Sequence, residues 1–185
     1  MPDPIEMLMQ DHREVEQLFA DYQQSHDQAI VETICTELTV HAAAEEQVIY
    51  PALGAYVPDG ERMRHHAEEE HQEVKDAIFE IQRLGYADPG IERIMQTIIT
   101  NVTEHVEEEE TDVFSKMRES LTAEQMETLG DELDASKQRL LSEADTAGAL
   151  VDLTKEQLYE LAQQKGIDGR ADMTKDELVA TLRQA

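Results

Sequence analysis

An all-α fold built on two helical hairpins, with further helices behind them, is predicted by three features of the sequence. Apolar residues recur at steps of three and four along four successive segments, the period of an amphipathic helix. The second pair of segments repeats the first pair in its polar positions as well as its apolar ones. Capping patterns that open helices, Thr-x-x-Gln or Thr-x-x-Glu, stand at Thr122, Thr154 and Thr174.

The segments can be read in order. The first has its apolar stripe at Ile5, Leu8, His12, Val15 and Phe19, and the second at Ile30, Ile34, Leu38, His41, Glu45 and Val48. His26 and Asp27 lie between them, where a turn or cap is expected. The third stripe reads Met63, Ala67, His71, Val74, Ile78, Ile81, and the fourth Ile91, Ile94, Ile98, Val102, His105, Glu109, Val113. Thr122-Ala-Glu-Gln125 opens a fifth helix expected to end near Ser142, with Met126, Leu129, Leu133 and Leu140 packing on the bundle. Residues 143–152 then read as a linker, which divides the chain into 1–142 and a small module at 153–185.

Six polar residues lie inside the apolar stripes: His12, His41, Glu45, His71, His105 and Glu109. They form a duplicated pattern. Asp11-His12-Arg13-Glu14-Val15 is answered by Glu70-His71-Gln72-Glu73-Val74, and His41-x-x-x-Glu45 by His105-x-x-x-Glu109. The lone and paired histidines are 29 residues apart in one half and 34 in the other, so each half offers one His from its first helix and a His plus a Glu from its second. Buried charges persist only when paired or bound to metal, and a shared metal centre would compensate all six together. Six nitrogen and oxygen donors are too many for one zinc, and the single cysteine, Cys35, lies outside the motif as a small core residue. Two iron ions bridged by Glu45, Glu109 and a solvent oxygen fit the donor count and type.

Other polar residues take simpler readings. His65 and His66 fall off the helical face of His71 and read as solvated. Tyr50 corresponds to Phe114 in the repeat and reads as packing. Of the run Glu107–Glu110, only Glu109 is on the core stripe.

These residues resemble the hemerythrin-like, or HHE cation-binding, domains, and the match runs from about Pro4 to Leu140. The resemblance implies an up-down-up-down four-helix bundle holding a non-haem di-iron centre, oxo- or hydroxo-bridged, with His12, His41, Glu45, His71, His105 and Glu109 as its metal residues. It implies binding of dioxygen or a related small ligand for sensing, storage or stress response. Family members also turn over peroxide, so a peroxide-disproportionating enzyme stays open beside that reading. Oxygen-carrying hemerythrins have two histidines four apart on the third helix, whereas the residue four before His71 is Ala67. The site therefore has one ligand fewer, or a neighbour such as Glu68 or His66 takes that place.

Composition bears on partners. The formal net charge of −27 opposes nucleic acid at long range and attracts metal cations. Only 5 of the 15 Lys+Arg and 7 of the 42 Asp+Glu lie from Leu150 onward, so the excess belongs to the bundle. No apolar run approaches the roughly 20 residues of a membrane span, the opening residues lack a basic-then-apolar signal, and one cysteine suits a reducing cytoplasm.

The tail repeats itself as Thr154-Lys-Glu-Gln-Leu158 and Thr174-Lys-Asp-Glu-Leu178, with Gly166-Ile-Asp-Gly169 between. From about Leu153 to Leu182 it resembles the small N-terminal helical domain of transcription terminator Rho, related to SAP-type helix–extended–helix modules. That resemblance implies nucleic-acid binding, with Lys155, Arg170, Lys175 and Arg183 as the phosphate-facing candidates. Without a basic excess, a docking role stays open. An iron- or redox-responsive adaptor acting through this module is the third functional reading.

Overall fold

Asp3 caps the first helix, its carboxylate accepting from the backbone N–H groups of Ile5 and Glu6 at 2.9 and 3.4 Å, and Pro4 fits the first helical position. Helix α1 (Pro4–Ser25) ends where His26 turns left-handed at φ 52° and gives its N–H to the Tyr22 carbonyl at 2.7 Å. Asp27 then caps α2 (Gln28–Ala44), accepting from Ala29 N–H at 2.9 Å. The turn expected at His26 and Asp27 is therefore a back-to-back pair of caps.

The second helix does not continue as a plain α-helix. A π turn, π1 (Glu45–Ile49), leads into α3 (Tyr50–Tyr56), and the Tyr50 N–H reaches the Glu45 carbonyl five residues back. The fourth helix repeats the device: α5 (Ile91–Glu108), π2 (Glu109–Val113), α6 (Phe114–Ser120), with the Phe114 N–H on the Glu109 carbonyl. One extra residue per turn rotates all that follows. Consecutive residues, Ile49 with Tyr50 and Val113 with Phe114, are therefore both buried. This corrects the stripe expected through Val48, which is only half-buried.

Between these lies α4 (Gly60–Leu84). Its first residue must be glycine, because a Cβ there would stand 1.9 Å from the Leu53 carbonyl oxygen. Helix α1 packs on α2, α2 on α4, α4 on α5 and α5 on α1. The connections at 26–27, 57–59 and 85–90 are too short for a crossover, so neighbours alternate in direction as an up-down-up-down bundle. One end of the bundle is filled by Phe19, Ile34, Leu38, Ile78, Ile81, Ile94, Met95 and Ile98, with Cys35 among them.

The structure, a computed structural model, describes residues 3–182, apart from the side chains of 145–152, and divides into two units, Met1–Lys137 and Gln138–Ala185. Helix α7 (Ala123–Asp152) opens with the expected capping box, the Gln125 N–H on Thr122 Oγ1 at 3.2 Å and the Thr122 N–H on Gln125 Oε1 at 2.8 Å. Within the first unit it buries Leu129 and Leu133 and gives the Ser136 hydroxyl to Gln47 of π1 at 3.1 Å. The linker expected at 143–152 is instead helical. Alanine, leucine and glutamate there are strong helix formers, and a single Gly148 costs only about 1 kcal/mol against them.

In the second unit, α8 (Lys155–Gln164), a 3₁₀ turn at Arg170–Asp172 and α9 (Lys175–Leu182) enclose a small core of Leu158, Ala162, Leu178, Val179 and Leu182. Both expected capping boxes form, Thr154 with Gln157 and Thr174 with Glu177.

Candidate metal centre

All six residues singled out by the duplicated motif are buried, and the bundle brings them together at mid-height. They fall into two groups of potential ligand atoms, His12, His41, Glu45 and Glu109 in one, and Glu45, His71 and His105 in the other. Glu45 belongs to both. Its Oε2 stands 3.1 Å from His41 Nε2 and 3.4 Å from His71 Nε2, while Glu109 Oε2 stands 3.6 Å from both His12 Nε2 and His105 Nε2. His12 Nε2, both Glu45 oxygens and Glu109 Oε2 are buried with no hydrogen-bond partner. Buried polar atoms are almost always satisfied, so four unpartnered atoms of metal-ligand type grouped together could hold a cation.

Each imidazole turns Nε2 inward and meets a carboxylate at Nδ1: His12 with Glu110 at 2.9 Å, His41 with Asp11 at 3.4 Å, His71 with Glu46 at 3.2 Å and His105 with Glu70 at 2.8 Å. The support is crossed. The acid preceding a lone histidine steps round its helix and holds the histidine of the neighbouring helix, and the acid following a buried glutamate holds a lone histidine. Sequence reasoning missed these four, although their signal was present in the repeat: an acid before His12 and His71, and a second acid after Glu45 and Glu109. Such partners fix the tautomer and orientation of a metal-binding imidazole. Two are anchored further out, Glu46 by Lys75 at 2.5 Å and Asp11 by Lys137 of α7.

Tyr50 departs from its reading as packing alone. Fully buried, its hydroxyl donates to Glu109 Oε1 and meets His71 Nε2, each at 3.1 Å. The π turn swings it inward, which residue type and period could not show. Its counterpart Phe114 stacks on His12 with ring centroids 5.8 Å apart. Neither neighbour proposed for the place of a histidine at Ala67 enters the site. Glu68 accepts from Arg64 at 2.5 Å, and His66 lies half exposed at the surface.

Protons take up the charge when no cation does. Burial opposes charge on His41, but Glu45 and Asp11 outweigh it and push the imidazole up to about 10. His105 is driven the same way, against burial, by Glu109 and Glu70, to about 9. Burial keeps His12 and His71 below the ordinary imidazole value. Glu45 is held well below the usual carboxylate range, since the neighbouring histidines, His41 foremost, overcome its burial. Glu109 is raised to about 7 by burial and by Glu45, because two carboxylates this close do not ionise independently.

The hemerythrin HHE cation binding domain model matches residues 3–117, more than half of the chain and all six buried residues. The chain belongs to the hemerythrin HHE cation-binding family. A solved hemerythrin HHE cation binding domain-containing protein from Mycobacterium kansasii shares the fold, with a TM-score of 0.66, 24% identity, and coverage of 98% of this chain and 99% of that one. A protein named DNA nickase from Nostoc sp. is 30% identical over an alignment of 151 residues that covers 77% of this chain and 42% of that protein. The chain thus spans less than half the length of that relative. The HHE family binds metal cations, and the buried imidazole and carboxylate groups of this bundle, without thiolate, could hold one.

In the second unit, Arg170 turns back on its own module, donating to the Ile167 carbonyl at 2.6 Å with its guanidinium 5.6 Å from the Tyr159 ring centroid. Lys155 and Lys175 are exposed, and Arg183 lies outside the described residues. Among the described residues no helix is long and apolar enough to cross a membrane.

Proposed function

We propose that this HHE domain holds two non-haem iron ions and with them binds dioxygen or a related small ligand, for sensing, storage or stress response. The observation that carries the proposal is the pair of ligand groups joined through Glu45, with their inward atoms otherwise unpartnered. His12 and His41 would hold one ion and His71 and His105 the other, with Glu45 and Glu109 between. When bound, the iron pair supplies a redox couple that exchanges electrons with a small oxygen-type ligand. The chain supplies orientation through the four crossed carboxylates and a dry approach. Above the histidines lies a cavity of about 30 Å³ walled mainly by Val15, Leu38, Val74, Ile78, Val102 and Val106, with Asp11, Glu70 and Lys75 also on its border. That volume admits a species about the size of one water molecule, and the walls favour an uncharged one.

The test is iron content per chain, with the near-ultraviolet and visible spectrum taken before reduction, after it, and after return to air. Two irons and an absorption that bleaches on reduction and returns in air are expected. No iron, or one zinc without a spectrum, would refute the proposal.

Tyr50 favours a second reading, disproportionation of hydrogen peroxide, in which one peroxide is oxidised to dioxygen and another reduced to two waters. That reaction moves protons between the two molecules, and Tyr50 places a buried O–H beside His71 and Glu109. Sustained dioxygen evolution from peroxide separates the two readings. An adaptor role draws on the separately cored C-terminal unit and on the name of the Nostoc relative. A net charge of −27 opposes approach to DNA, so this reading requires that DNA binding survive moderate salt and respond to iron removal.

A further inference from the structure

Beside the buried centre, a second group of metal-type side chains faces solvent. His66 Nε2 stands 3.6 Å from Glu70 Oε1 on its own helix, α4, and 3.4 Å from Glu108 Oε2 on α5. The three ligand atoms lie within 4.8 Å of one another. An exposed His–Glu pair one turn apart is ordinary, and His65 with Glu69 at 3.4 Å is such a pair. The His66 group differs in drawing a ligand from a second helix and in standing over a passage. A cavity of about 20 Å³, room for roughly one water-sized species, is bordered by His66, Ala67, Glu70 and Glu108 and reaches His105 and Glu109. Glu109 is 1% exposed, and its Oε2 has no hydrogen-bond partner.

Ala67 makes the passage. It is buried four residues before His71, on the inward face of α4, and its methyl group leaves open what a longer side chain would fill. Glu70 serves both ends, with Oε2 on His105 Nδ1 at 2.8 Å and Oε1 toward His66. Arg62 and Asp112 also border the cavity, and Asp112 is paired with Lys116 at 2.6 Å.

We propose that His66, Glu70 and Glu108 form an outer, exchangeable site for a divalent first-row metal ion, ferrous iron in particular, and that the passage over Ala67 delivers the ion to Glu109. The inference rests on the reading of the buried centre as the iron site. One imidazole and two carboxylates, completed by water, bind such a cation weakly and release it readily. The step is ligand exchange without change of oxidation state: the ion sheds water and outer ligands and gains the buried carboxylate. The acidic surface would raise the local cation concentration at the mouth.

The test uses this chain in metal-free form and Co²⁺, whose visible absorption reports entry into the buried site in stopped flow. Manganese titration of protein already filled at that site, followed by electron paramagnetic resonance, counts the weak outer site. In the surface variant H66A/E108Q, filling is expected to slow by about tenfold, with final metal content unchanged and one weak Mn²⁺ per chain lost. Ala67→Val, which narrows the passage while leaving the outer ligands in place, should slow filling and keep the weak Mn²⁺. Wild-type rate and Mn²⁺ count in H66A/E108Q overturn the outer site alone. Failure of wild-type protein to take up Co²⁺ at the buried site overturns the iron reading and the delivery route with it.

Discussion

Removing the metal should reverse the way stability depends on pH. In the metal-free site His41 rises to about 10 and His105 to about 9, against an ordinary imidazole value of 6.5. Above neutrality the native state therefore holds protons that the unfolded chain has released, and stability falls as pH rises toward those values. Each excess proton contributes a slope of about 1.4 kcal/mol per pH unit, so two sites that stay protonated while the unfolded imidazoles lose their remaining protons give a loss of roughly 2 kcal/mol from about pH 7 to pH 8. Glu109, raised to about 7, adds the same sign only up to that pH. His12 and His71 are shifted down, so their opposite contribution lies below the ordinary imidazole value and is complete before this window opens. Metal binding requires neutral imidazole and tightens as pH rises. The gap between the metal-loaded and metal-free unfolding midpoints should thus widen with pH. Urea titrations of both forms at the two pH values measure it, and His41→Ala should remove about half of the metal-free slope. A metal-free midpoint that stays level between the two pH values would refute the charged state assigned to His41 and His105.

If the centre holds two irons as proposed, Glu45→Gln should lower bound iron toward none, because its carboxylate belongs to both ligand groups, whereas His12→Ala takes a ligand from one group only. Elemental analysis decides it, and full occupancy of Glu45→Gln would break the shared-ligand reading. Tyr50→Phe keeps the ring and removes a hydroxyl that donates to a buried carboxylate, so the metal-free protein should lose about 1.5–3 kcal/mol in chemical denaturation. An unchanged stability would mean the hydroxyl is not engaged as described. Leu133→Ala, at a fully buried position of α7, should cost about 2–5 kcal/mol if that helix is part of the bundle core, and a surface-like loss under 1 kcal/mol would exclude it.

The sequence by itself determined the helical bundle and the six residues at its centre. A period of three to four fixes which face of a helix is buried, and polar residues kept on that face at duplicated spacing have few explanations other than a shared cation. The caps at Thr122, Thr154 and Thr174 were legible for a similar reason, since a capping box is a local exchange of hydrogen bonds within four residues. Tertiary structure decided what depends on rotation and on neighbours from other helices. The π turns at Glu45 and Glu109 insert one residue into the pattern, leave Val48 half-buried and swing Tyr50 into the site, and no side-chain period announces such an insertion. The crossed carboxylates, the passage opened by Ala67 and the continuation of α7 through 143–152 arise likewise from packing between segments or from the cooperativity of a long helix. A sequence records which side chains a helix offers, and only the packed bundle sets which of them meet.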